Sequence, residues 1–315
     1  SNPASGNIND LLLPEDLMYV PDLYAIGVQE ASGTSSSQIK EWEVKLQTTL
    51  GPNHVLLHSC SLGVLHLAIF LRRDLIWFCT VPEDGSFNSR PSATNQHKTK
   101  GAVAVSFAFF GTTFLFINSH LPAHEGRIKE RIEEYEKICN SINLPKNLLP
   151  LKPRYISKDV TARFDCVFWF GDLNFRIESS FREVISLLNE LDKTSNPSME
   201  CLLKDDQLIR TMELGNAFHG FNEPPIYFPP TFKFKIGSND FDSITQRVPS
   251  YTDRILNRSK RPGHIIPIKY NSVRNLITSD HKPVYSFAEV QLRPGRDNAL
   301  IMNAGNFNRD IYIEA

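Results

Sequence analysis

The stretch 167–176 constrains this chain more than any other part of its sequence. It begins with four apolar residues and then places Gly171, Asp172 and Asn174 at their end. A short apolar run closed by glycine is typical of a strand buried on both faces. Ligands of α/β sheets bind at the carboxyl ends of such strands. The strand period of two predicts that Asp172 and Asn174 share one face, and the alternative is a strand that ends in an Asx turn.

The rest of the chain alternates between predicted strands and helices, which favours an α/β fold. Apolar residues at helical spacing predict helices over 38–50, 128–142 and 181–191. Strands are predicted over 23–28, 55–57, 64–71, 75–80, 102–109, 113–118, 265–269 and 284–290, and a polar loop over 82–96. A length of 315 residues, 41% of them hydrophobic, suits one domain with a sizeable core.

Composition excludes several classes of protein. The net charge is −1, so no global field attracts nucleic acid or an anionic membrane. The five cysteines are odd in number and lack metal-ligand spacing, which favours reduced thiols over a disulfide framework or a zinc site. The sequence shows neither a signal peptide nor an apolar run long enough to span a bilayer.

Two further predicted strands end in chemically useful side chains. Glu30 follows the strand at 23–28, where a carboxylate is placed to bind Mg²⁺, although a solvated loop residue is the alternative. Asn118, Ser119 and His120 close the apolar strand at 113–118. A lone histidine is more often structural, but this one occupies the same kind of position as Glu30 and Asp172.

Two acidic groups near the C-terminal strands complete the set. Asp253 stands at the start of a predicted strand, and Asp280 precedes His281 just before the last one. Histidine accepts a proton near neutral pH, and a neighbouring carboxylate fixes its tautomer. A surface turn at Asp253 and a capped turn at 280–281 are the alternatives.

Taken in order, these five elements resemble the motifs of the endonuclease/exonuclease/phosphatase superfamily. The versions at 169–176 and 249–254 are similar to those of the inositol polyphosphate 5-phosphatases, and the resemblance runs from about residue 23 to residue 290. The runs 98–101 and 293–298 resemble the type IV branch of that family.

The resemblance implies an α/β fold, a four-layer sandwich of two packed mixed β-sheets flanked by helices. It implies a catalytic domain over 23–292, a flexible lead over 1–22 and a C-terminal extension over 293–315. The family's first strand, which carries an asparagine near the metal or the water, has no counterpart in 1–21. A missing strand would leave a sheet edge unpaired.

The resemblance also implies an activity, which is Mg²⁺-dependent hydrolysis of a 5-phosphate by in-line attack of water. The implied catalytic roles are metal binding by Glu30, water activation by Asp172, phosphate binding by Asn174 and His281, pairing of Asp253 with His281, and positions near the reacting groups for Asp280 and His120. The implied substrate-binding residues are Lys100 near a 1-phosphate, Lys233 and Arg247 near a 4-phosphate, and Asn118, Arg163 and Arg176, of which the last two are catalytic or structural.

Two substitutions distinguish this chain from the family pattern. Phe232 stands where a tyrosine often contacts the 4-phosphate, and Thr245 stands where a lysine is common. Each lost contact is worth about 1–3 kcal/mol. The sequence therefore predicts a weaker dependence on the 4-phosphate than in the family at large.

The expected substrates are phosphatidylinositol 3,4,5-trisphosphate and 4,5-bisphosphate, with 3,5-bisphosphate as a further candidate. The expected partner is a membrane surface contacted peripherally by a monomer that does not bind nucleic acid, at the cytosolic face of the Golgi or primary cilium by resemblance to the type IV branch. A Mg²⁺-dependent nuclease of the same superfamily and a non-catalytic phosphoinositide-binding relic are the alternatives.

Overall fold

A five-stranded mixed sheet forms the centre of the computed structural model, which describes residues 6–15, 17, 19–30, 36–89, 99–147, 157–194 and 198–292. Its strands, in spatial order, are β4 (Glu83–Asn88), β5 (Gly101–Phe109), β6 (Thr112–His120), β7 (Cys166–Asp172) and β8 (Asp253–Ser259). Every residue of β5 and β6 is buried, as the apolar runs in these two strands predict. No residue of β4 is buried. Only β6 and β7 run parallel, so their carboxyl ends lie together.

Two smaller antiparallel sheets cover one face of the central sheet. One contains β1 (Leu23–Val28), β2 (His54–Leu62) and β3 (Leu65–Arg72) in the order β1-β3-β2, and the other contains β9 (Ile265–Ser272) and β10 (Val284–Val290). Leu67 and Ile69 of β3 share a buried core with Phe107 and Phe116 of the central sheet. Ala288 of β10 packs against the same core, so both small sheets lie on the same side.

Helices form the outer layers. They are α1 (Asn9–Leu12), α2 (Ser36–Leu50), α3 (Ile128–Ser141), α4 (Phe181–Leu191), α5 (Glu200–Leu203) and α6 (Gln207–Glu213). Tyr135 and Ile138 of α3 pack on the central sheet, and Trp42 and Leu46 of α2 pack on β1 and β3. Across the described ranges, no helix has the length and apolar character needed to cross a membrane. The result is the layered α/β sandwich that the sequence predicts.

A cavity separates the two small sheets. In the described part of the chain β1 pairs only with β3, and β10 pairs only with β9. The space between them measures about 940 Å³ and is lined by Ile26, Phe168, Phe170 and Val284 among others. The second sheet of the expected sandwich is therefore divided into two pieces with facing, unpaired edges.

Several local predictions are wrong for identifiable reasons. Residues 75–80 were expected to form a strand, but Arg73–Phe78 is a 3₁₀ helix, because an apolar run without alternation does not distinguish the two. The expected loop at 82–96 contains β4, which pairs with β5 through its backbone although its own side chains are largely polar. The short helices α5 and α6 were not predicted because neither is long enough to show a clear period.

The expected flexible lead is also wrong where the structure describes it. Ile8 and Leu12 are buried against Tyr24 and Trp42, and the Tyr24 hydroxyl donates to the Leu12 carbonyl oxygen at 3.1 Å. Four apolar side chains anchor this segment, those of Ile8, Leu11, Leu12 and Leu13. The predicted extension at 293–315 lies outside the described residues.

Candidate active site

Strand register brings three of the predicted site residues to one edge of the central sheet. The last residue of β6, His120, is paired with the last residue of β7, Asp172. Asp172 is in turn paired with Asp253, the first residue of antiparallel β8. Three positions separated by up to 133 residues in sequence are therefore adjacent because of backbone pairing alone.

The first cluster contains Asp172, His120 and Lys100. The His120 Nε2 atom lies 3.1 Å from Asp172 Oδ2, and the Lys100 ammonium contacts the same nitrogen. Burial opposes the ionisation of Asp172, but His120, His281 and Lys100 hold the pKa of that carboxyl below its ordinary value. Burial lowers the pKa of Lys100 against the attraction of Asp172 and Glu30. Asp172 is therefore a carboxylate at neutral pH.

The second cluster pairs His281 with Asp253. The His281 Nδ1 atom lies 2.9 Å and 3.1 Å from the two Asp253 carboxylate oxygens. The hydroxyls of Thr231 and Thr252 donate to Asp253 Oδ2 at 2.7 and 2.9 Å. Burial alone would lower the pKa of His281, but Asp253, followed by Asp172 and Asp280, raises it to about 9. His281 is therefore an imidazolium at neutral pH, with Nδ1–H directed to Asp253.

Asn174 reaches the site differently from the prediction. The strand ends at Asp172, and Asn174 has left-handed backbone geometry with φ 58°, so strand alternation does not extend to it. Its side-chain NH₂ donates to the Leu121 carbonyl oxygen at 3.0 Å, and Arg176 donates to its side-chain oxygen. Its backbone N–H donates to Asp172 Oδ1 at 3.1 Å, which ties the two residues together in an Asx-like turn.

Glu30 supplies the carboxylate that a cation would need. It follows β1 with a left-handed φ of 52°, its side chain is 62% exposed, and Oε1 lies 3.9 Å from His120 Nε2. The described residues contain no group of three His, Cys, Asp or Glu side chains placed to hold a metal ion. Mg²⁺ binds through one or two carboxylates and keeps waters or phosphate oxygens as its other ligands, so a single open carboxylate fits this ion.

Three of the predicted cations lie around these clusters. Arg176 is buried, and its Nε donates to the Asn174 carbonyl oxygen at 3.2 Å. Lys233 Nζ lies 3.3 Å from Asp280 Oδ2. The guanidinium of Arg247 is exposed and lies 3.4 Å from His124 Nδ1. Positive charge thus reaches the surroundings of both clusters from separate loops, an arrangement that suits an anionic ligand.

Two predicted substrate-binding residues do not join the site. Arg163 lies before β7, at the end opposite Asp172, and donates to the carbonyl oxygens of Leu144, Ser157 and Lys158. Asn118 is fully buried between the sheets, where its NH₂ donates to main-chain oxygens of β1 and β3 at 3.2 and 2.9 Å and its oxygen accepts from Gln29. Both residues have structural roles, because their side chains hold backbone segments together.

Gly27 explains how Asn118 reaches β1. A Cβ atom at Gly27 would lie only 2.6 Å from the Asn118 side-chain carbon. Only glycine therefore permits this approach of β1 to the central sheet, which in turn fixes where Glu30 emerges.

Sequence reasoning missed the residues that hold the site in place. Thr231 and Thr252 orient Asp253, and Lys282, only 1% exposed, contacts the carbonyl oxygens of Ser238, Arg274 and Leu276. The position of Thr252 beside Asp253 was a usable signal. No signal in the sequence pointed to Lys282, because a lysine is normally expected to be exposed.

Most of the chain matches a known protein family. The family described as Endonuclease/Exonuclease/phosphatase family 2 matches residues 1–287. The chain belongs to this family. The match confirms the resemblance seen in the sequence.

Relatives within the family include the Homo sapiens phosphatidylinositol polyphosphate 5-phosphatase type IV, 47% identical over 309 residues. That alignment covers 98% of this chain but 46% of the relative, so the chain spans about half the length of that protein. The Schizosaccharomyces pombe inositol-1,4,5-trisphosphate 5-phosphatase 1 is 31% identical over 304 residues, covering 92% of this chain and 26% of the relative.

Solved structures support the fold of this family member. The inositol polyphosphate 5-phosphatase domain of SPsynaptojanin, crystallised with inositol (1,4)-bisphosphate and a calcium ion, matches with a TM-score of 0.74 and 30% identity, covering 92% of this chain and 82% of that one. The predicted fold class is thereby confirmed. Cimex nitrophorin, at 23% identity and a TM-score of 0.67, covering 91% of this chain and 92% of that one, shows the same fold.

Proposed function

We propose that this chain hydrolyses the 5-phosphate of phosphoinositides with the help of a divalent cation, Mg²⁺ in particular. The observation that carries the proposal is the convergence of His120, Asp172 and Asp253 by strand register, with His281 held against Asp253. The relatives named above are 5-phosphatases of inositol phosphates or phosphoinositides, which supports the same reaction here.

The proposed chemistry follows from the charge states of the site. Asp172 is ionised and accepts a hydrogen bond from the attacking water, which orients the water oxygen toward phosphorus. The His281 imidazolium and Arg176 stabilise the negative phosphoryl oxygens, and Lys233 extends this positive surface. Asp253 keeps Nδ1–H of His281 engaged, so that Nε2–H remains available for the phosphate.

The leaving oxygen of the inositol ring has to gain a proton as its bond to phosphorus breaks. Lys100 contacts His120 Nε2, which lies 3.1 Å from Asp172 Oδ2, so Lys100 and His120 form a connected pair that can carry a proton. We assign proton delivery to this pair, so that the products are inorganic phosphate and a free ring hydroxyl. A divalent cation at Glu30 would supply further neutralisation of charge on the substrate.

Substrate choice follows from two further positions. Phe232 has no hydroxyl, and the Thr245 hydroxyl donates to Asp242 Oδ2 at 2.6 Å. Neither side chain therefore offers a new contact to a 4-phosphate. The proposal is a 5-phosphatase that accepts the 3,4,5-trisphosphate and 4,5-bisphosphate lipids and retains activity on the 3,5-bisphosphate.

Exposed apolar side chains favour action at a membrane surface. Tyr227, Ile236 and Ile244 are 72%, 70% and 85% exposed, and the last two lie between Lys233 and Arg247 in sequence. Apolar and cationic side chains close together suit an anionic bilayer interface. We propose peripheral contact by a monomer at the cytosolic face of a membrane, at the Golgi or the primary cilium.

Phosphate release from a panel of soluble inositol phosphates and lipid vesicles, with and without Mg²⁺, tests the proposed function. We expect release from 5-phosphorylated substrates only, and only with the cation. Asp172→Ala and His281→Ala should abolish release while vesicle binding persists. Nicking of plasmid DNA would favour a nuclease instead, and vesicle binding by the wild-type chain without hydrolysis would favour a non-catalytic binding module.

A further inference from the structure

The ring of Phe232 lies against three groups of the site that carry positive charge. Arg176 and His281 are at close range, and the Nζ atom of Lys233 is 5.8 Å from the ring centroid. The Arg176 guanidinium carbon lies 4.4 Å from the ring centroid, and the His281 ring centroid lies 4.6 Å from it, tilted by 41°. Arg176 comes from the loop after β7, and His281 from the segment before β10. One side chain therefore joins two parts of the site that otherwise belong to different segments of the chain.

The backbone of Phe232 is itself fixed. Its N–H donates to the Ser250 carbonyl oxygen at 3.2 Å, and the Ser250 N–H donates back at 2.8 Å. A second isolated bridge pairs Phe232 with His281. The side chain is only 7% exposed. Its position is thus determined by these two backbone pairings and by burial.

An aromatic ring suits this place for an electrostatic reason. Two cations that bind one phosphate repel each other before the phosphate arrives. The face of a phenyl ring carries negative charge density, attracts a guanidinium or an imidazolium, and has no polar group that would retain water. An aliphatic side chain of similar size fills the volume without this attraction.

We propose that Phe232 is a positioning residue, whose ring holds Arg176 and His281 in one fixed arrangement for the phosphoryl group. The proposal rests on the proposed function, since it assigns these two cations to the same phosphate. Arg176 in turn holds the Asn174 side-chain and main-chain oxygens. Displacement of Arg176 would therefore also remove two of the hydrogen bonds that hold the turn after Asp172.

A double-mutant cycle on the intact chain tests the proposal, with inositol 1,4,5-trisphosphate as the substrate. Phe232→Leu should lower kcat by roughly 10-fold through the lost ring contacts, and Phe232→Tyr, which retains the ring, should keep kcat within about 3-fold. In a background of Arg176→Gln, the effect of Phe232→Leu should be smaller, because only the His281 contact then remains to be lost. Additive losses in the two backgrounds would overturn the proposal, as would equal kcat values for the Leu and Tyr variants.

A matched control separates positioning from general stability. Phe241 stacks on Phe234 at 4.4 Å, and none of its described ring contacts involves Arg176 or His281. Phe241→Leu should lower the Tm while leaving kcat unchanged for the folded protein. A fall in kcat equal to that of Phe232→Leu would mean that any lost aromatic in this region has the same effect, and the proposal would fail.

A readout without turnover keeps the proposal distinct from the proposed function. The Arg176 Nε–H should exchange slowly with solvent in the wild type and in Phe232→Tyr, and quickly in Phe232→Leu, as measured by NMR. If the wild type releases no phosphate, the proposed function fails, and this exchange rate still decides the placement of Arg176. Equal exchange rates in all three proteins would overturn the positioning role.

Discussion

Asp253 contacts the Nδ1 edge of His281 through both of its carboxylate oxygens, at 2.9 and 3.1 Å. The contact keeps the ring charged and orients its other nitrogen. The Asp253 carboxylate is itself held in place, because the hydroxyls of Thr231 and Thr252 both donate hydrogen bonds to it. A carboxylate bonded in this way has little freedom to rotate, so the imidazolium is fixed before substrate arrives.

The pair predicts the alkaline limit of activity. The pKa of His281 is raised to about 9, so phosphate binding by the imidazolium should weaken as the pH rises through that value. Asp253→Asn removes the largest cause of the raised pKa, so the alkaline limb of kcat/KM should move toward neutral pH, with Asp172 and Asp280 still present. A pH–rate profile measures this. An unchanged alkaline limb would mean that His281 does not control it.

The same pKa predicts how stability depends on pH. Because the folded pKa of His281 lies above its unfolded value, its contribution is complete below pH about 6.5 and is lost as the pH rises through about 9. The free energy of unfolding should therefore fall across that window, and less so in His281→Gln. Urea denaturation at pH 6 and pH 9.5 measures the difference between the two proteins.

We predict that removing the charge of Asp172 lowers kcat more than it lowers folding stability. Its pKa is held below the ordinary value, so Asp172→Asn removes a charge that is present at all pH values of interest. Loss of a group that orients the nucleophile should lower kcat by at least ~10²-fold. Glu178→Gln, which alters the surface pair with Arg210, is a suitable control and should leave kcat unchanged. Equal kcat for Asp172→Asn and the wild type would contradict the assignment.

We predict that a substitution at Glu30 changes the Mg²⁺ concentration that activity requires. Glu30→Gln keeps the size of the side chain but weakens its attraction for a hard cation, so half-maximal phosphate release should need a higher Mg²⁺ concentration. Titration of activity with Mg²⁺ measures the shift. The outcome that would contradict the role is an unaltered titration curve.

Phe232 and Thr245 predict the dependence on the 4-phosphate. The double variant Phe232→Tyr, Thr245→Lys restores a hydroxyl and a cation, each worth about 1–3 kcal/mol. Its preference for lipids with a 4-phosphate over the 3,5-bisphosphate should therefore exceed that of the wild type. The ratio of kcat/KM on the two lipids measures this. A wild type that already shows a very large preference would refute the hypothesis.

The residues that converge at the site were easier to predict from the sequence than the residues that hold them in place. The convergence of Asp172, Asp253 and His281 could be predicted because each lies at or beside a strand end, where ligands of α/β sheets bind. For Arg163 the sequence left a catalytic and a structural role open, because proximity to β7 in sequence does not tell which end of the strand a side chain occupies, and its contacts are structural. Asn118 was misread because the gap left by Gly27, into which it fits, exists only once two sheets are packed together.

The secondary-structure predictions were wrong where local sequence signals compete with tertiary pairing. The run at 75–78 is apolar enough for a strand, but Arg73–Phe78 is a 3₁₀ helix, and Arg72 Nε donates to Asp74 Oδ1 at 2.7 Å across its start. β4 shows no strand pattern of its own, because its stability comes from its neighbour β5. Tertiary pairing decides such segments, and a single sequence does not contain it in readable form.

The cavity between β1 and β10 reaches the catalytic residues from the interior of the sandwich. Its lining includes Asp253 and His281 together with the apolar side chains of Phe168 and Phe170. β1 and β10 border this space with backbone edges that no described strand pairs, so an extended segment that paired with both would join the two small sheets and lie beside Asp253 and His281.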